Sequence, residues 1–476
     1  MNPSEYASHD GVGLAALVAR GEVSPGELVE AAIACIERHN GALNAVVYKA
    51  YDEARRTAAG ALPAGPFRGV PFLIKDLIRR VAGWPCSMGS EFAQLGPAAE
   101  DSVLIRRYRD AGLILLGATN TPELGISGVT HSARLGLCRS PWDLAHTPGG
   151  SSGGAAAAVA SGMVPMAHAS DGLGSIRIPA SCCGLVGLKP TRDRNPWDPD
   201  ERWRGCGLAV DHIVARSLRD SAAMLDATGT PQAATPYPPP PKAGPYVDEL
   251  ARPPGKLRIT WSSQTPTGRP IDDEIERALR DTAELLAALG HDVQPGALRF
   301  DVGALYLAGR TMLAANFAAE LKQVAAQVGR EPGDGELGPQ ARRNYEAGKL
   351  ISGADAFAAA QRVRALCWQI LAQFEELDVF LTPVLGTAPP RTDELDPLAV
   401  DLRTFDQRTA AAFPFTAPFN MTGQPSISLP LAHTASGLPI GMMLTARYGD
   451  EATLFRLAAQ LEHARPWTGR HPAIWA

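Results

Sequence analysis

Two short apolar runs, GVPFLI at 69–74 and LILLGAT at 113–119, flank a helix-like stretch at 101–111 that Gly112 closes. Runs this short and this apolar read as strands buried on both faces. A strand, helix, strand succession points to an α/β fold, in which helices pack on a sheet. The first of the two runs ends on a charged residue, Lys75, which it would carry into the interior.

The remaining segments fit this pattern. Ser24-Pro25-Gly26-Glu27 is a capping box with proline at the first helical position. It opens a helix that Asn40-Gly41 should stop. Leu28, Ala32, Cys35 and Ile36 share one face of that helix. An Ala-rich helix follows the Gly/Ser stretch at 149–154, and the apolar run 164–169 comes next. PYPPPPKAGP at 236–245 is a polyproline-like crossing and the best candidate boundary. Beyond it, KLRITW reads as a strand and 272–289 as an amphipathic helix ended by Gly290; the variable region at about 265–375 is mostly helical in pattern. Core-like strands return at 377–383 and 426–432, which favours a single domain over 1–476 with the prolines as a surface crossing.

Composition narrows the function classes. Net charge is −5 and no Lys/Arg run stands out, which argues against nucleic acid as a partner. The seven cysteines have no C-x-x-C spacing, and adjacent Cys182 and Cys183 read as small apolar packing residues. His131, His146 and His168 fit no metal-ligand spacing, so neither a metal nor a cofactor is expected. With no signal-peptide pattern and no membrane-length apolar run, the expectation is a cytoplasmic protein. Oligomeric state is not readable, and a homodimer stays open.

Chemistry concentrates at 147–191, where glycines frame two serines, in Gly149-Gly150-Ser151-Ser152-Gly153-Gly154 and in Asp171-Gly172-Leu173-Gly174-Ser175. A flexible linker is a poor explanation, because the surroundings are Ala-rich and apolar. Phosphate-loop and dinucleotide fingerprints are absent. Residues 149–153 satisfy G-x-S-x-G, but SPWDLAHTP before them is no strand, as a nucleophile elbow would need. In that reading His433 or His463 would be the base. The remaining reading pairs serine with lysine. A serine hydroxyl needs a base to take its proton, and a lysine serves if burial lowers its pKa from ~10.4 toward neutrality. The chain has no S-x-x-K, so the lysine must come from elsewhere, and Lys75 ends an apolar run.

GGSSGG with DGLGSIRIPAS, CGLVGLKPT, GVPFLIKDLI, LLGATNTPELG and NMTGQPSISLPLA resembles the amidase signature family, in the family's order and over most of the chain. The wording is most similar to the branch of 6-aminohexanoate cyclic-dimer hydrolases, aryl acylamidases and carbamate hydrolases. The resemblance implies a large twisted mixed β-sheet covered by helices on both faces. It also implies amide hydrolysis through a Ser–cis-Ser–Lys triad: Ser175 as nucleophile, Ser151 as bridging serine in a cis peptide, Lys75 as base. A small-molecule amide and water would be its partners, with no membrane involved.

On the same resemblance the N–H groups of Gly172, Leu173, Gly174 and Ser175 would form the oxyanion hole. Ser152, Asp171 and Arg177 would be structural supports, the last two as an ion pair beneath the loop. Leu173 stands where the family commonly has glycine, so the loop glycine moves to 172. Thr130, His131 and Ser132 lie in a loop that commonly faces the pocket. Met312, Leu313 and Asn316 lie in the variable helical segment, where substrate contact and a packing role compete. Trp197 and Trp203 are equally placed as pocket walls or as lid and packing residues. The rival within the family is a glutamine-hydrolysing A subunit of a tRNA-dependent amidotransferase; outside it, a non-catalytic binding protein.

Overall fold

The computed structural model describes residues 1–199, 204–230 and 237–476. Among them, eleven strands form one mixed sheet. In spatial order these are Val46–Lys49, Ile114–Thr119, Pro71–Lys75, Met166–Asp171, Val210–Ala215, Val186–Lys189, Ser426–His433, Pro439–Ala446, Val379–Pro383, Arg258–Trp261 and Asp292–Pro295. Pro71–Lys75 pairs parallel with both of its neighbours, while the five strands from Met166–Asp171 to Pro439–Ala446 pair antiparallel in succession. The residues that follow the prolines contribute five strands to this sheet. Pro240 itself packs against Gly449, and its carbonyl accepts from Arg194 at 2.8 Å.

The apolar runs become strands for the reason their composition gives. Every residue of Pro71–Lys75, Ile114–Thr119, Val379–Pro383 and Pro439–Ala446 is buried. Both faces of those strands are therefore covered, and the covering elements are helices. The variable region holds the long helices Asp273–Ala288, Val302–Val328, Pro339–Lys349 and Gly353–Gln373.

At Pro25–Leu43 the capping box forms as expected, but the helix runs past Asn40-Gly41 and ends at Asn44, which takes the left-handed conformation. Asn40 does not stop the helix because its side chain is used elsewhere. It accepts from the N–H groups of Ala45 and Val46 and donates to the Val46 carbonyl, which fixes the start of the first strand.

The Ala-rich helix Gly153–Ala160 is buried along its whole length. Its small side chains let its backbone lie directly against the sheet. A Cβ on Gly154 would sit 2.4–2.7 Å from the backbone of Asn120 and Ala45. Because backbone cannot step aside cheaply, Gly154→Ala should lower unfolding free energy by roughly 1–3 kcal/mol. A denaturant or thermal melt reads this directly, and an unchanged midpoint would show that the helix can shift.

Candidate active site

Lys75 closes its strand with a side chain only 1% exposed. Its Nζ lies 2.7 Å from Ser151 Oγ, 3.0 Å from Ser152 Oγ and 3.0 Å from Ser170 Oγ. Burial lowers the Lys75 pKa to about 7, against the opposing pull of the Asp211 and Asp171 carboxylates. The Gly150–Ser151 peptide is cis. Behind the lysine, its own N–H donates to His168 Nδ1 at 3.3 Å. His168 therefore carries its proton on Nε2 and donates it to Asp211 at 2.9 Å. Burial lowers the His168 pKa, so the ring is neutral. Asp211 also binds Arg79; burial pushes its carboxyl up, but the Arg79 charge and His168 outweigh this and hold it far below the usual range.

The second serine sits on a loop organised by Asp171, the last residue of its strand. Asp171 Oδ1 accepts from Gly174 N–H at 2.6 Å, and Oδ2 from Ile176 N–H at 3.2 Å. Arg177 meets both oxygens, at 3.0 and 2.9 Å, and both partners are fully buried. Burial pushes the Asp171 pKa up, but Arg177, Lys189 and Asn420 override it and hold it at about 2. Thr416 Oγ1 donates to the Leu173 carbonyl at 2.5 Å. Ser175 itself is half-buried, and its hydroxyl has no hydrogen-bond partner among the described residues. Lys75, Ser151 and Ser152 are thus brought into one cluster, while Ser175 stands outside its hydrogen bonds.

The family described as Amidase matches residues 27–455. The chain belongs to this family. It is 35% identical to the 6-aminohexanoate-cyclic-dimer hydrolase of Paenarthrobacter ureafaciens over 98% of this chain and 96% of that one. It is 38% identical to the putative amidase AmiC of Mycobacterium tuberculosis, over 97% and 96%. The solved structure of 6-aminohexanoate cyclic dimer hydrolase complexed with substrate has a TM-score of 0.91 at 34% identity, covering 99% of this chain and 100% of that one. A bacterial aryl acylamidase of the amidase signature family has a TM-score of 0.85 at 26% identity, covering 97% of each. The chain is accordingly an amide hydrolase with the amidase-signature fold.

Several expected site residues of this amidase have other work. The Gly174 N–H is spent on Asp171, so it is no oxyanion donor; the N–H groups of Gly172, Leu173 and Ser175 have no hydrogen-bond partner among the described residues. The glycine that the loop requires is Gly174, not Gly172. Its φ is +138°, and a Cβ there would lie 2.4 Å from Thr416 Oγ1. Thr130 is fully buried and holds the serine loop: its hydroxyl donates to the Gly149 carbonyl and accepts from Gly153 N–H. Ser132 is buried and accepts from Leu135 N–H. His131 pairs with Asp396 at 2.9 Å. His131 and Ser132 line a cavity of about 310 Å³ that none of Lys75, Ser151 and Ser175 lines.

Trp197 has the environment of a packing residue. It is buried, with the Arg79 guanidinium 4.0 Å from its ring centre. Trp203 lies outside the described residues. Leu313 packs against the main core, Met312 is buried, and Asn316 donates to Glu320 on its own helix. His433 packs against Trp142 and contacts Arg470, so it is no partner for either serine.

Sequence reasoning missed Ser170, Asp211, Arg79, Thr416 and Asn420 as parts of the site. Only Ser170 carried a signal, since it directly precedes Asp171 at the end of an apolar run. Asp171→Ala would leave Arg177 buried without its carboxylate. The expected loss is roughly 3–5 kcal/mol of unfolding free energy, read as a lower melting midpoint; an unchanged midpoint would show the pair to be dispensable.

Proposed function

We propose that the chain hydrolyses a non-peptide carboxylic amide through an acyl-enzyme on Ser175, with Ser151 and Lys75 as a proton relay. The observation that carries this reading is the Lys75 amine, buried among three serine hydroxyls with its pKa lowered to about 7. Strongly shifted groups of this kind concentrate at functional sites.

In the proposed cycle, neutral Lys75 takes the Ser151 proton while Ser151 takes the Ser175 proton. Ser175 Oγ attacks the amide carbonyl, and the negative oxygen is held by the N–H groups of Gly172, Leu173 and Ser175. Ser151 then gives a proton to the leaving nitrogen and regains one from the Lys75 ammonium. The C–N bond breaks, the amine departs, and the acyl group stays on Ser175. Water, deprotonated through the same relay, attacks the ester and releases the acid. Ser152 and Ser170 act as fixed acceptors for the Lys75 ammonium, and Asp171 and Arg177 hold the loop in shape.

The substrate class rests on the relatives, whose names cover cyclic amides and aryl acylamides. A linear, cyclic or aryl amide is the proposed substrate, with a carbamate as the nearest chemical extension. A panel of anilides, aliphatic and cyclic amides, carbamates and glutamine distinguishes them; turnover of glutamine alone would overturn this assignment.

Two measurements test the mechanism. A fluorophosphonate should label Ser175 in the purified protein, and Lys75→Ala should lower kcat by roughly 10²–10⁴. Labelling elsewhere, or a tolerated Lys75→Ala with one essential histidine, would sink the relay. The base must be neutral, so kcat/KM should hold above pH about 7. Below that it should fall about tenfold per pH unit, as Lys75 becomes an ammonium without a lone pair. A profile flat down to pH 5 would exclude Lys75 as the base.

A further inference from the structure

The nucleophile loop is held at several backbone groups, and one of its side chains departs from the family's usual glycine. Asp171 holds the N–H groups of Gly174 and Ile176, and Thr416 holds the carbonyl of Leu173. Asp171, Ile176 and Arg177 are fully buried. Leu173 stands among them and is 37% exposed. Its backbone lies outside the positive-φ region, so the branched side chain fits without strain. Beside it, a Cβ on Gly172 would meet nothing within 4 Å, which leaves free space along that flank of the loop.

A lone exposed leucine on an ordinary surface needs no explanation. Leu173 is different because its main chain is pinned and its own N–H is one of the proposed oxyanion donors. A carbonyl held by that N–H would lie beside residue 173, within reach of its side chain. The leaving nitrogen must turn toward Ser151 and Lys75 to collect its proton, so the acyl carbons are the ones left to lie along the loop.

We propose that the Leu173 side chain is the specificity element for the acyl group, favouring amides with an apolar chain or ring next to the scissile carbonyl over acetyl or charged acyl groups. This rests on the reading of Ser175 as the acylated nucleophile. Contact with a substrate methylene excludes water from both surfaces. Each such methylene in an apolar subsite typically changes the specificity ratio by roughly 10-fold or more.

Alkylphosphonofluoridates test both statements at once. Ser175 Oγ attacks phosphorus, the P–F bond breaks, fluoride leaves, and the alkyl group on phosphorus takes the place of the acyl chain. The readout is the ratio of second-order labelling rates for hexyl and methyl reagents on the purified full chain. The wild type should prefer hexyl, Leu173→Ala should reduce that ratio about 10-fold, and Leu173→Met, which keeps the apolar bulk, should retain it. A wild-type ratio near one, or a ratio unchanged in Leu173→Ala, would overturn the proposal. So would a loss confined to Leu173→Gly, because that traces to backbone freedom. Labelled Ser175 with no chain preference refutes the role of Leu173 alone, whereas failure of either reagent to label Ser175 refutes the acyl-enzyme reading and this one with it.

Discussion

The carboxylate of Asp171 is the point on which the site's geometry turns. Four separate groups converge on it: the N–H of Gly174, the N–H of Ile176, the Arg177 guanidinium and the Asn420 amide. Two belong to the loop that carries Ser175, and Arg177 opens the helix that follows. Asn420 comes from the far C-terminal part of the chain, and Arg177 also donates to the Thr416 carbonyl there. A buried ion pair is a weak source of net stability, since two desolvated charges roughly cancel their attraction. Its contribution here is geometric. Because every lone pair is occupied, the loop has one low-energy shape, and the central strand Met166–Asp171 fixes where that shape is held.

The same carboxylate acts at a distance on the other half of the site. Lys75 is surrounded by protein that disfavours its charge, and Asp171 and Asp211 partly restore it. Asp211 is anchored by Arg79 and His168, and Arg79 in turn lies against the Trp197 ring. His168 accepts from the Lys75 N–H, so the chain of contacts ends on the lysine's own backbone. Positioning and charge thus come from one buried network.

How much of this was legible in the sequence depended on range. The Ser24 capping box and the buried strand ending at Lys75 are local, and each reads from a few neighbouring residues, whereas the Asp171–Arg177 pair was implied by the family resemblance. The resemblance to the amidase signature family extended that reach to Ser151 and Ser175. What stayed hidden depends on contacts between segments distant in the chain. His168 and Asp211 meet because their strands pair antiparallel, with Ala169 opposite His212. Thr130 looked like a pocket residue by position, yet it is bound to the Gly149–Gly153 backbone. Gly172 and Gly174 are equivalent as letters. Only the φ of +138° and the closeness of Thr416 show which of them the fold requires. Trp197 was equally placed as a wall or a packing residue, and only the structure shows the Arg79 guanidinium against its face.

The three hydroxyls around Lys75 Nζ explain why burial alone does not set the site. A neutral amine offers one lone pair and is satisfied by a single O–H, whereas an ammonium has three hydrogens to place. Ser151, Ser152 and Ser170 supply three oxygens at 2.7–3.0 Å. Desolvation therefore favours the neutral state while the oxygen cage accommodates the charged one, and neither dominates. A base buried without such a cage would stay neutral and never keep the proton it takes. A caged lysine left in water would stay charged and have no lone pair to offer. The relay proposed for this chain needs both states within one turnover, and burial combined with a hydroxyl cage brings the two close in energy near neutral pH.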